Sequence, residues 1–277
     1  MIDKKQLYKL IETALAEDIN TGDITTMSTV PKDKRVSGHF IAKAQGVLCG
    51  LDIAAAVFHY IDTDVTMESH FKDGNIVKNG DIIAAIEGRA TSVLTGERLA
   101  LNMLQRLSGI ATKTSEAVSK VSGFPVKILD TRKTTPGLRI FEKYAVRTGG
   151  GYNHRFSLSD GVLIKDNHIN AAGGIREAIE ASRSFVPHTL KIEVEVETLD
   201  QVTEALAAGA DIIMLDNMTI KRMKQAIQII DKNALVEASG NMGEKDLIEV
   251  AATGVDFISI GALTNYIKPL DISLKFK

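Results

Sequence analysis

Apolar residues recur along this chain with two different periods, and the change lies near residue 110. The segment 4–17 has the spacing of an amphipathic helix, and the segment 70–93, HFKDGNIVKNGDIIAAIEGRATSV, alternates short strands with Asp-Gly and Asn-Gly turns. Such dipeptides accept the positive φ of tight hairpins. A long helix is predicted over 97–120, where the apolar residues return at helical spacing: Leu99, Leu101, Leu104, Leu107 and Ile110. The first part of the chain therefore has the pattern of a small α+β domain.

After the long helix, the pattern becomes strand, polar tip and helix, repeated several times. The last three strands begin at 211, 234 and 257, so each repeat is 23 residues long. Short right-handed βα units build a parallel sheet or barrel, and six clear units favour an α/β barrel with one unit missing or irregular. The predicted strands are 127–131, 161–165, 191–197, 211–216, 234–239 and 257–261, and the predicted helices are 138–148, 174–185, 199–208, 219–231 and 244–253.

Polar or glycine residues stand at the carboxyl end of every predicted strand of this repeat. In βα barrels the reactive groups cluster at those ends, so the six ends together indicate a site. In chain order the ends carry Asp130, Thr131, Arg132 and Lys133; Lys165, Asp166 and Asn167; Glu193, Glu195 and Glu197; Asp216 and Asn217; Glu237, Ser239, Gly240 and Asn241; and Ser259 and Gly261.

Composition and charge narrow the classes of function. The 277 residues have a formal net charge of -2, so no global field favours a polyanion, and we expect no nucleic-acid partner. The single cysteine, Cys49, excludes an intrachain disulfide and favours a reducing compartment. The N-terminal pattern lacks the apolar core of a signal peptide, and no apolar run reaches membrane-spanning length. We therefore expect a cytoplasmic protein without a membrane partner.

The segment 132–165 carries a local excess of positive charge, with seven cations and two acids. Arginine matches carboxylate or phosphate in two-pronged geometry, and lysine offers a compact charge, so the excess suits an anionic substrate. Acids at the neighbouring strand ends fit sugar hydroxyls or a divalent cation that bridges phosphates. The sequence SGNMG at residues 239–243 follows a strand and fits a phosphate held by backbone N–H groups. Together these residues suggest a phosphorylated sugar with a second anionic group.

Structural interpretations compete with several of these functional ones. Arg139, Lys143 and Arg147 recur at helical spacing and are interpreted as a solvated face. The alternation of Glu193, Glu195 and Glu197 fits an exposed edge strand, but it also fits a barrel strand whose acids face the lumen, which we favour for Glu195. The glycines at 149–151 fit either a helix C-cap or a backbone that closely approaches a ligand.

Several longer blocks carry a family resemblance over nearly the whole chain. The most specific is DTRKTTPGLRIFEKYAVRTGGGYNHRFSLSDGVLIKDNH at residues 130–168, supported by AEDINTGDITT, ERLALNMLQRLSGIAT, IEVEVETL, IIMLDNM, EASGN and ISIGALT. These blocks closely resemble the quinolinate phosphoribosyltransferases, also called nicotinate-nucleotide pyrophosphorylases (carboxylating). The resemblance implies that 5-phosphoribosyl 1-pyrophosphate and quinolinate react, with Mg²⁺, to give nicotinate mononucleotide, pyrophosphate and CO₂ in NAD biosynthesis.

The same resemblance implies an architecture and an assembly. The expected fold is an α/β one, with an incomplete, seven-stranded α/β barrel over residues 110–266. An N-terminal α+β open-faced sandwich would cover residues 1–109, completed by residues 267–277. The expected assembly is a homodimer with shared active sites, or a hexamer, in which each N-terminal domain covers the barrel mouth of its partner.

Site residues follow from the resemblance, motif by motif. Arg98 would reach the partner's site and meet a quinolinate carboxylate, and the clamp would be completed by Arg132, with Thr131 beside it, His154 and Arg155. The residues expected to be catalytic are Lys133 and Lys165, for the pyrophosphate, and Glu195 and Asp216, for the ribose hydroxyls and for Mg²⁺, directly or indirectly. The 5'-phosphate would be bound by Ser239, Gly240, Asn241 and Gly261.

One position departs from the family pattern, and other functions stay open. Many members have histidine where this chain has Asn265, which can hydrogen-bond but cannot carry charge. Lys165 at the end of an apolar strand also fits a Schiff-base lysine of an aldolase-type enzyme. A non-catalytic module that binds sugar phosphates is a further alternative, and so is a molybdenum-transport-associated paralogue of similar fold. The intact TRKT, NHR and KDNH blocks favour the quinolinate enzyme.

Overall fold

The chain, analysed as a computed structural model, is described over residues 3–277 and divides into two compact units. The first comprises the chain up to Ser115 together with Thr135–Gly150 and Ile267–Lys277, and the second comprises Glu116–Thr134 and Gly151–Tyr266. No helix within residues 3–277 is both long and apolar enough to cross a bilayer.

Helices and strands follow one another in a fixed order through both units. The first half of the chain contains α1 (Lys4–Ile19), α2 (Ile24–Thr29), β1 (Arg35–Ala42), β2 (Gly46–Val47), α3 (Leu51–Ile61), β3 (Thr66–Ser69), β4 (Ile76–Val77), β5 (Ile82–Arg89) and α4 (Ala90–Lys120). The second half contains β6 (Lys127–Leu129), α5 (Arg139–Thr148), β7 (Val162–Ile164), α6 (Asp166–Ala172), α7 (Ile175–Phe185), β8 (Ile192–Val196), α8 (Leu199–Ala207), β9 (Ile212–Asp216), α9 (Ile220–Ile230), β10 (Leu235–Ser239), α10 (Leu247–Ala251), β11 (Phe257–Ser259), α11 (Ala262–Asn265) and β12 (Ile272–Phe276).

The first unit is built on an antiparallel sheet in the order β12-β1-β5-β3. The predicted Asp-Gly and Asn-Gly turns are present, with Gly74 at φ 91° and Gly80 at φ 94°. Phe40 from β1 and Phe58 from α3 meet edge to face in the core, with ring centroids 6.1 Å apart. Because β12 pairs with β1 along five residue pairs, the end of the chain completes this sheet.

Helices α4 and α5 pack closely in the same unit, and Gly149 is part of the reason. A Cβ at Gly149 would lie 2.4 Å from the carbonyl oxygen of Ala111 and 2.7 Å from the Cβ of Thr114. The Gly149 N–H also donates to the Ala145 carbonyl at the end of α5. Gly149 is the C-cap of α5 with an ordinary φ of -77°, so the close contact with α4 accounts for glycine at this position.

The predicted solvated face of α5 is wrong at Lys143. Arg147 is exposed, but Lys143 is only 2% exposed, and Phe141, Glu142 and Val146 of the same helix are buried as well. Basic residues at helical spacing usually lie on a solvated face, but tertiary packing buries Lys143.

The second unit is built on a parallel sheet in the order β6-β11-β10-β9-β8-β7. Strands β6 and β7, which would have to meet to close a barrel, stand at opposite ends of this order. A single parallel bridge between Leu129 and Tyr152 puts one further extended stretch beside β6. The predicted incomplete α/β barrel is confirmed, and its seventh strand position is reduced to this bridge.

All six predicted strands are present, and each observed strand lies within its predicted range. The sequence pattern gave no sign of α6 or α11, short helices that follow β7 and β11 directly. Strand β8 lies between β7 and β9, and Glu193 within it is buried, so the exposed-edge interpretation of its acids is wrong.

Candidate active site

The carboxyl ends of the six parallel strands lie along one edge of the second unit, as parallel pairing requires. Exposure rises along β8 toward that edge, where Glu193 is buried, Glu195 is half-buried and Glu197 is exposed. The predicted site residues of this unit therefore stand at the solvent edge, above a layer of buried side chains.

The loop after β10 has a backbone shaped for close approach. Gly240 has φ 87° and Asn241 has φ 53°, so two successive residues lie in the left-handed region. A Cβ at Gly240 would lie 2.2 Å from the Oδ1 and 2.6 Å from the backbone N of Asn217. The Asn217 N–H donates to the Ser239 carbonyl at 3.1 Å, which joins this loop to the end of β9. The predicted phosphate loop is thus a tight turn directly after β10 that packs against the end of β9.

Lys133 lies beside the end of β11 and is held by short contacts. Its backbone N–H donates to Thr131 Oγ1 at 3.0 Å, and Thr264 Oγ1 donates to its carbonyl at 2.8 Å. A Cβ at Gly261 would come within 3.0 Å of Lys133 Cδ. The structure therefore brings Thr131, Lys133 and Gly261 together, and glycine leaves room for the lysine stem.

Lys165 and Glu195 form an ion pair across neighbouring strands. The Lys165 Nζ donates to Glu195 Oε2, and the Lys165 backbone N–H donates to His168 Nδ1 at 3.0 Å. Lys165 is partly exposed, so its ammonium can exchange one anionic partner for another without desolvation of the whole pair.

Asp216 at the end of β9 is half-buried and accepts a hydrogen bond from Asn217 Nδ2 at 2.8 Å. Its negative charge acts on Lys245, where burial nevertheless lowers the pKa of the ammonium. Lys245 Nζ donates to the Met218 carbonyl at 3.3 Å. Lys245 could not be predicted from its position at a strand end, because it lies six residues past the end of β10.

Arg155 is held in place by the loop that follows it. Its Nη1 donates to the Gly161 carbonyl at 2.9 Å, and its Nε is buried without a hydrogen-bond partner. Burial lowers the pKa of the guanidinium, and the nearby charge of Arg132 lowers it further. Two guanidinium groups that repel one another mark a place where an anion is favourable.

The ring of His154 faces two buried acids that the sequence analysis named only as strand-end residues. His154 Nε2 lies 3.1 Å from Glu193 Oε2 and 3.7 Å from Glu237 Oε2. Asp130, also buried, accepts from the His154 backbone N–H at 2.9 Å and from Asn153 Nδ2 at 2.5 Å. The alternation in β8 and β10 was the available signal for Glu193 and Glu237, because both project to the same side as the site.

Arg98 lies in the first unit, exposed on α4. The carboxyl of the adjacent Glu97 has its pKa raised by burial, an effect that the Arg98 charge opposes. The role that the resemblance implies for Arg98, in the site of a partner, stays a prediction.

The side chains at the strand ends offer few carboxylate ligands for Mg²⁺. Mg²⁺ takes oxygen ligands and is commonly held by one or two carboxylates plus substrate phosphates. Asp216 offers such a carboxylate, whereas one oxygen of Glu195 already accepts from Lys165. The residues therefore fit an ion that is held mainly by the oxygens of a bound substrate.

Comparison with known proteins gives consistent matches over almost the whole chain. The family model described as "Quinolinate phosphoribosyl transferase, N-terminal domain" matches residues 23–108, and that for the C-terminal domain matches residues 110–275. The probable nicotinate-nucleotide pyrophosphorylase [carboxylating] of Bacillus subtilis is 47% identical over 97% of this chain and 93% of its own length. The chloroplastic nicotinate-nucleotide pyrophosphorylase [carboxylating] of Arabidopsis thaliana is 42% identical over 97% of this chain and 82% of its own. The solved nicotinate-nucleotide pyrophosphorylase from Francisella tularensis superposes with a TM-score of 0.95, at 40% identity, over 100% of this chain and 98% of that one.

Proposed function

This chain belongs to the quinolinate phosphoribosyltransferase family, and we propose that its strand-end site performs the family reaction. The enzyme transfers phosphoribose from 5-phosphoribosyl 1-pyrophosphate to quinolinate and releases pyrophosphate and CO₂. Its product, nicotinate mononucleotide, enters NAD biosynthesis. The observation that carries the assignment of the site is the set of groups at one sheet edge: two lysines, two acids and a left-handed glycine loop.

Quinolinate carries two carboxylates, and the arginines at this edge match them. Arg132 and Arg155 would each offer a planar guanidinium to a carboxylate, with Arg98 supplied by a second protomer. The two positive charges of Arg132 and Arg155 repel one another, and a bound dianion would offset this repulsion. Relief of the repulsion therefore favours quinolinate binding.

The ion pair between Lys165 and Glu195 would break when substrate binds, because both side chains would then take new partners. When pyrophosphate oxygens reach Lys165, they replace Glu195 as the partner of the ammonium. Glu195 is then available to the ribose hydroxyls, together with Asp216. Lys133 and Lys165 would stabilise the negative charge that grows on the leaving pyrophosphate, a preorganised electrostatic effect.

The 5'-phosphate would lie in the loop of Ser239, Gly240 and Asn241, next to Gly261. Backbone N–H groups of this turn would bind the phosphate, and glycine at position 240 lets the loop pack directly against Asn217. Mg²⁺ would be held mainly by oxygens of the bound substrate, and the carboxylates of Asp216 and Glu195 would complete its ligands directly or indirectly. When bound, this ion neutralises charge on the pyrophosphate.

The chemistry then follows from the positions of the reactants. The quinolinate ring nitrogen forms a bond to the anomeric carbon while the bond from that carbon to pyrophosphate breaks. Positive charge on the ribose in this transition state is stabilised by Glu195 and Asp216. The ribosylated nitrogen is cationic and stabilises the electron pair left at ring carbon 2 when CO₂ departs, and a proton completes the product. The protein contributes mainly orientation and fixed charge.

The proposal includes a homodimer with shared active sites and a cytoplasmic location. The dimer is supported by the family resemblance, which implies that Arg98 of one protomer meets quinolinate in the site of its partner. The reducing cytoplasm is supported by cysteine usage, because the one thiol, Cys49, is buried and free. Sedimentation of the purified protein and fractionation of the source cells test these two points.

The decisive assay compares two acceptors. Purified protein, Mg²⁺ and 5-phosphoribosyl 1-pyrophosphate are combined with quinolinate or with nicotinate, and pyrophosphate and CO₂ are measured. We expect both products, in equal amounts, from quinolinate and neither from nicotinate. Turnover of nicotinate, or pyrophosphate release from quinolinate without CO₂, would contradict the proposal. The family match decides against the aldolase-type enzyme and the non-catalytic module.

A further inference from the structure

Beneath the strand ends of the second unit lies a cluster of three polar side chains from three separate places in the chain. His154 follows the bridged stretch beside β6, Glu193 comes from β8 and Glu237 from β10. The acids are 4% and 2% exposed, and each has one carboxylate oxygen, Oε1, buried without a hydrogen-bond partner. Neither acid has a part in the reaction described above, although two buried acids in contact with one imidazole are costly to maintain.

A shared proton accounts for the closeness of the acids. Burial raises the pKa of Glu237 to about 8, and the negative charge of Glu193 adds to the effect. Two carboxylates in one desolvated place cannot both ionise easily, so the protonated form of Glu237 is favoured.

The spacing of the cluster would suit a metal ion, but the hydrogen bonding of His154 does not. One ligand atom from each residue lies within 4.8 Å of the others. However, the Arg155 backbone N–H donates to His154 Nδ1 at 2.7 Å, so Nδ1 is an acceptor. The ring proton is then on Nε2, directed at Glu193 Oε2 3.1 Å away, and Nε2 has no lone pair for a metal.

The cluster also anchors a stretch of backbone that ordinary sheet pairing does not hold. Residues 152–155 have one β-bridge, between Tyr152 and Leu129. Among their further attachments, Asp130 accepts from Asn153 and from the His154 N–H, and the His154 ring joins the Arg155 N–H to Glu193. The backbone that carries Arg155 is therefore attached to Asp130 through the His154 N–H and to the acids of the cluster through the His154 ring.

We propose that Glu193 and Glu237 are positioning residues for quinolinate, which act through His154 to fix the backbone and guanidinium of Arg155. The inference rests on the proposed function, because it assigns a purpose to the placement of one member of the carboxylate clamp. It also gives His154 a role as the link between the acids and Arg155. Because the acids would act through His154 and Arg155, we expect their removal to affect the binding of quinolinate and not that of the phosphoribosyl donor.

A pair of substitutions separates positioning from mere packing. Glu237→Gln keeps a hydrogen-bonding group of the same shape as the protonated acid, whereas Glu237→Leu removes it at similar volume. We expect Glu237→Leu to raise the KM for quinolinate at least about tenfold, because a displaced guanidinium binds poorly, and to leave the KM for the phosphoribosyl donor within about twofold. We expect Glu237→Gln to restore the KM for quinolinate to near that of the wild type. If the leucine variant does not fold, Glu237→Met takes its place.

A double-mutant cycle with Arg155→Ala shows whether the effect passes through Arg155. If Glu237 acts through that guanidinium, Glu237→Leu has little further effect on quinolinate binding in the Arg155→Ala background. Quinolinate binding is followed by titration calorimetry, so that inactive variants can be measured. Additive effects in the cycle would overturn the inference, as would an equal rise in both KM values.

The wild type provides the remaining two controls. A wild-type enzyme that fails to release CO₂ and pyrophosphate would contradict the proposed function, whereas an active wild type with an additive cycle would contradict this inference alone. Metal analysis of the protein after dialysis against a chelator completes the test. One tightly held equivalent that Glu237→Leu removes would overturn the inference in favour of a metal site.

Discussion

Gly240 is the residue at which the backbone of the proposed phosphate loop is most sensitive to change. We expect Gly240→Ala to raise the KM for 5-phosphoribosyl 1-pyrophosphate by an order of magnitude or more, because the new methyl group would meet Asn217 and push the loop outward. The KM for quinolinate should change much less. Steady-state kinetics with each substrate varied in turn measures both values.

A matched control for this change is Gly254→Ala. Gly254 has φ 98°, close to the φ 87° of Gly240, but a Cβ there would meet nothing within 4 Å. Both variants therefore have the same backbone strain, and only Gly240→Ala also has the clash. Equal kinetic effects in the two variants would show that general destabilisation, and not the shape of the loop, is responsible.

Arg155 tests the carboxylate clamp directly. We expect Arg155→Ala to weaken quinolinate binding about a hundredfold or more, since a carboxylate would lose its partner after desolvation. Arg176→Ala is the control, because Arg176 is an exposed arginine of α7 that pairs only loosely with Glu180, at 3.8 Å. Equilibrium titration with quinolinate gives both affinities, and near-normal affinity in Arg155→Ala would remove this residue from the clamp.

The residue types along the chain predicted the exposed strand-end residues of this site, but not the buried contacts beneath them. The position of Lys133, Lys165 and Gly240 next to strand ends could be predicted, because charge and glycine at strand ends have few structural uses. Glu193 and Glu237 were visible only as members of alternating strands. Their importance depends on a contact with His154, which lies 39 and 83 positions away from them in the chain. Sequence periodicity predicts the side of a strand that a residue faces, but not the group that it meets there.

The junction of β5 and α4 is an element boundary whose stability depends on pH. Asp62, buried, accepts from Arg89 Nε at 2.8 Å and from Ser92 Oγ at 2.7 Å, and these hydrogen bonds hold the pKa of its carboxyl well below the ordinary value of 3.8. A lowered folded-state pKa contributes stability above the unfolded-state value and loses it as the pH falls through the folded-state value. We expect Asp62→Asn to lower the Tm by a few degrees at pH 7 and the difference to shrink below pH 3.8.

Thermal melts of both proteins at several pH values between 7 and 3 measure this effect. The exposed neighbour Asp64 is the control, and Asp64→Asn should lower the Tm at pH 7 less than Asp62→Asn does. A deficit in Asp62→Asn that stays constant down to pH 3 would mean that shape, and not the charge of the hydrogen-bonded carboxylate, accounts for the stability.

Elements with a repeated pattern of buried residues could be predicted from the sequence, whereas short elements and single buried residues could not. The six parallel strands have apolar runs between polar tips, a pattern that a buried sheet imposes, so they could be predicted. Helix α6 begins within the chemically interesting KDNH block, and its short length leaves no periodic signal. Lys143 is buried because α5 packs on several sides at once, which a pattern with one polar face cannot indicate.

At the level of the whole molecule, the chain order does not match the spatial grouping. Residues Thr135–Gly150 follow the first strand of the barrel-like sheet but belong to the first unit, where Glu142 accepts from Arg106 at 2.6 Å and from the Thr135 N–H at 3.1 Å. The family resemblance could supply the overall architecture, since long specific blocks carried it. The exchange of one segment between units depends on tertiary contacts, and no local pattern marks it.

The proposed dimer makes a prediction that only a mixture of variants can test. Arg98→Ala should inactivate the site of the partner, and Lys165→Ala should inactivate the site of its own protomer. A dimer with one copy of each variant then has one intact site, because the Arg98→Ala protomer keeps Lys165 and receives Arg98 from its partner. Random reassociation of equal amounts should therefore restore about a quarter of the wild-type activity. Mixing Lys165→Ala with Lys133→Ala is the matched control, since both residues lie in the same unit and no intact site can form. If heterodimers are confirmed by two different affinity tags and the first mixture is as inactive as the control, Arg98 acts within its own protomer and the shared site is wrong.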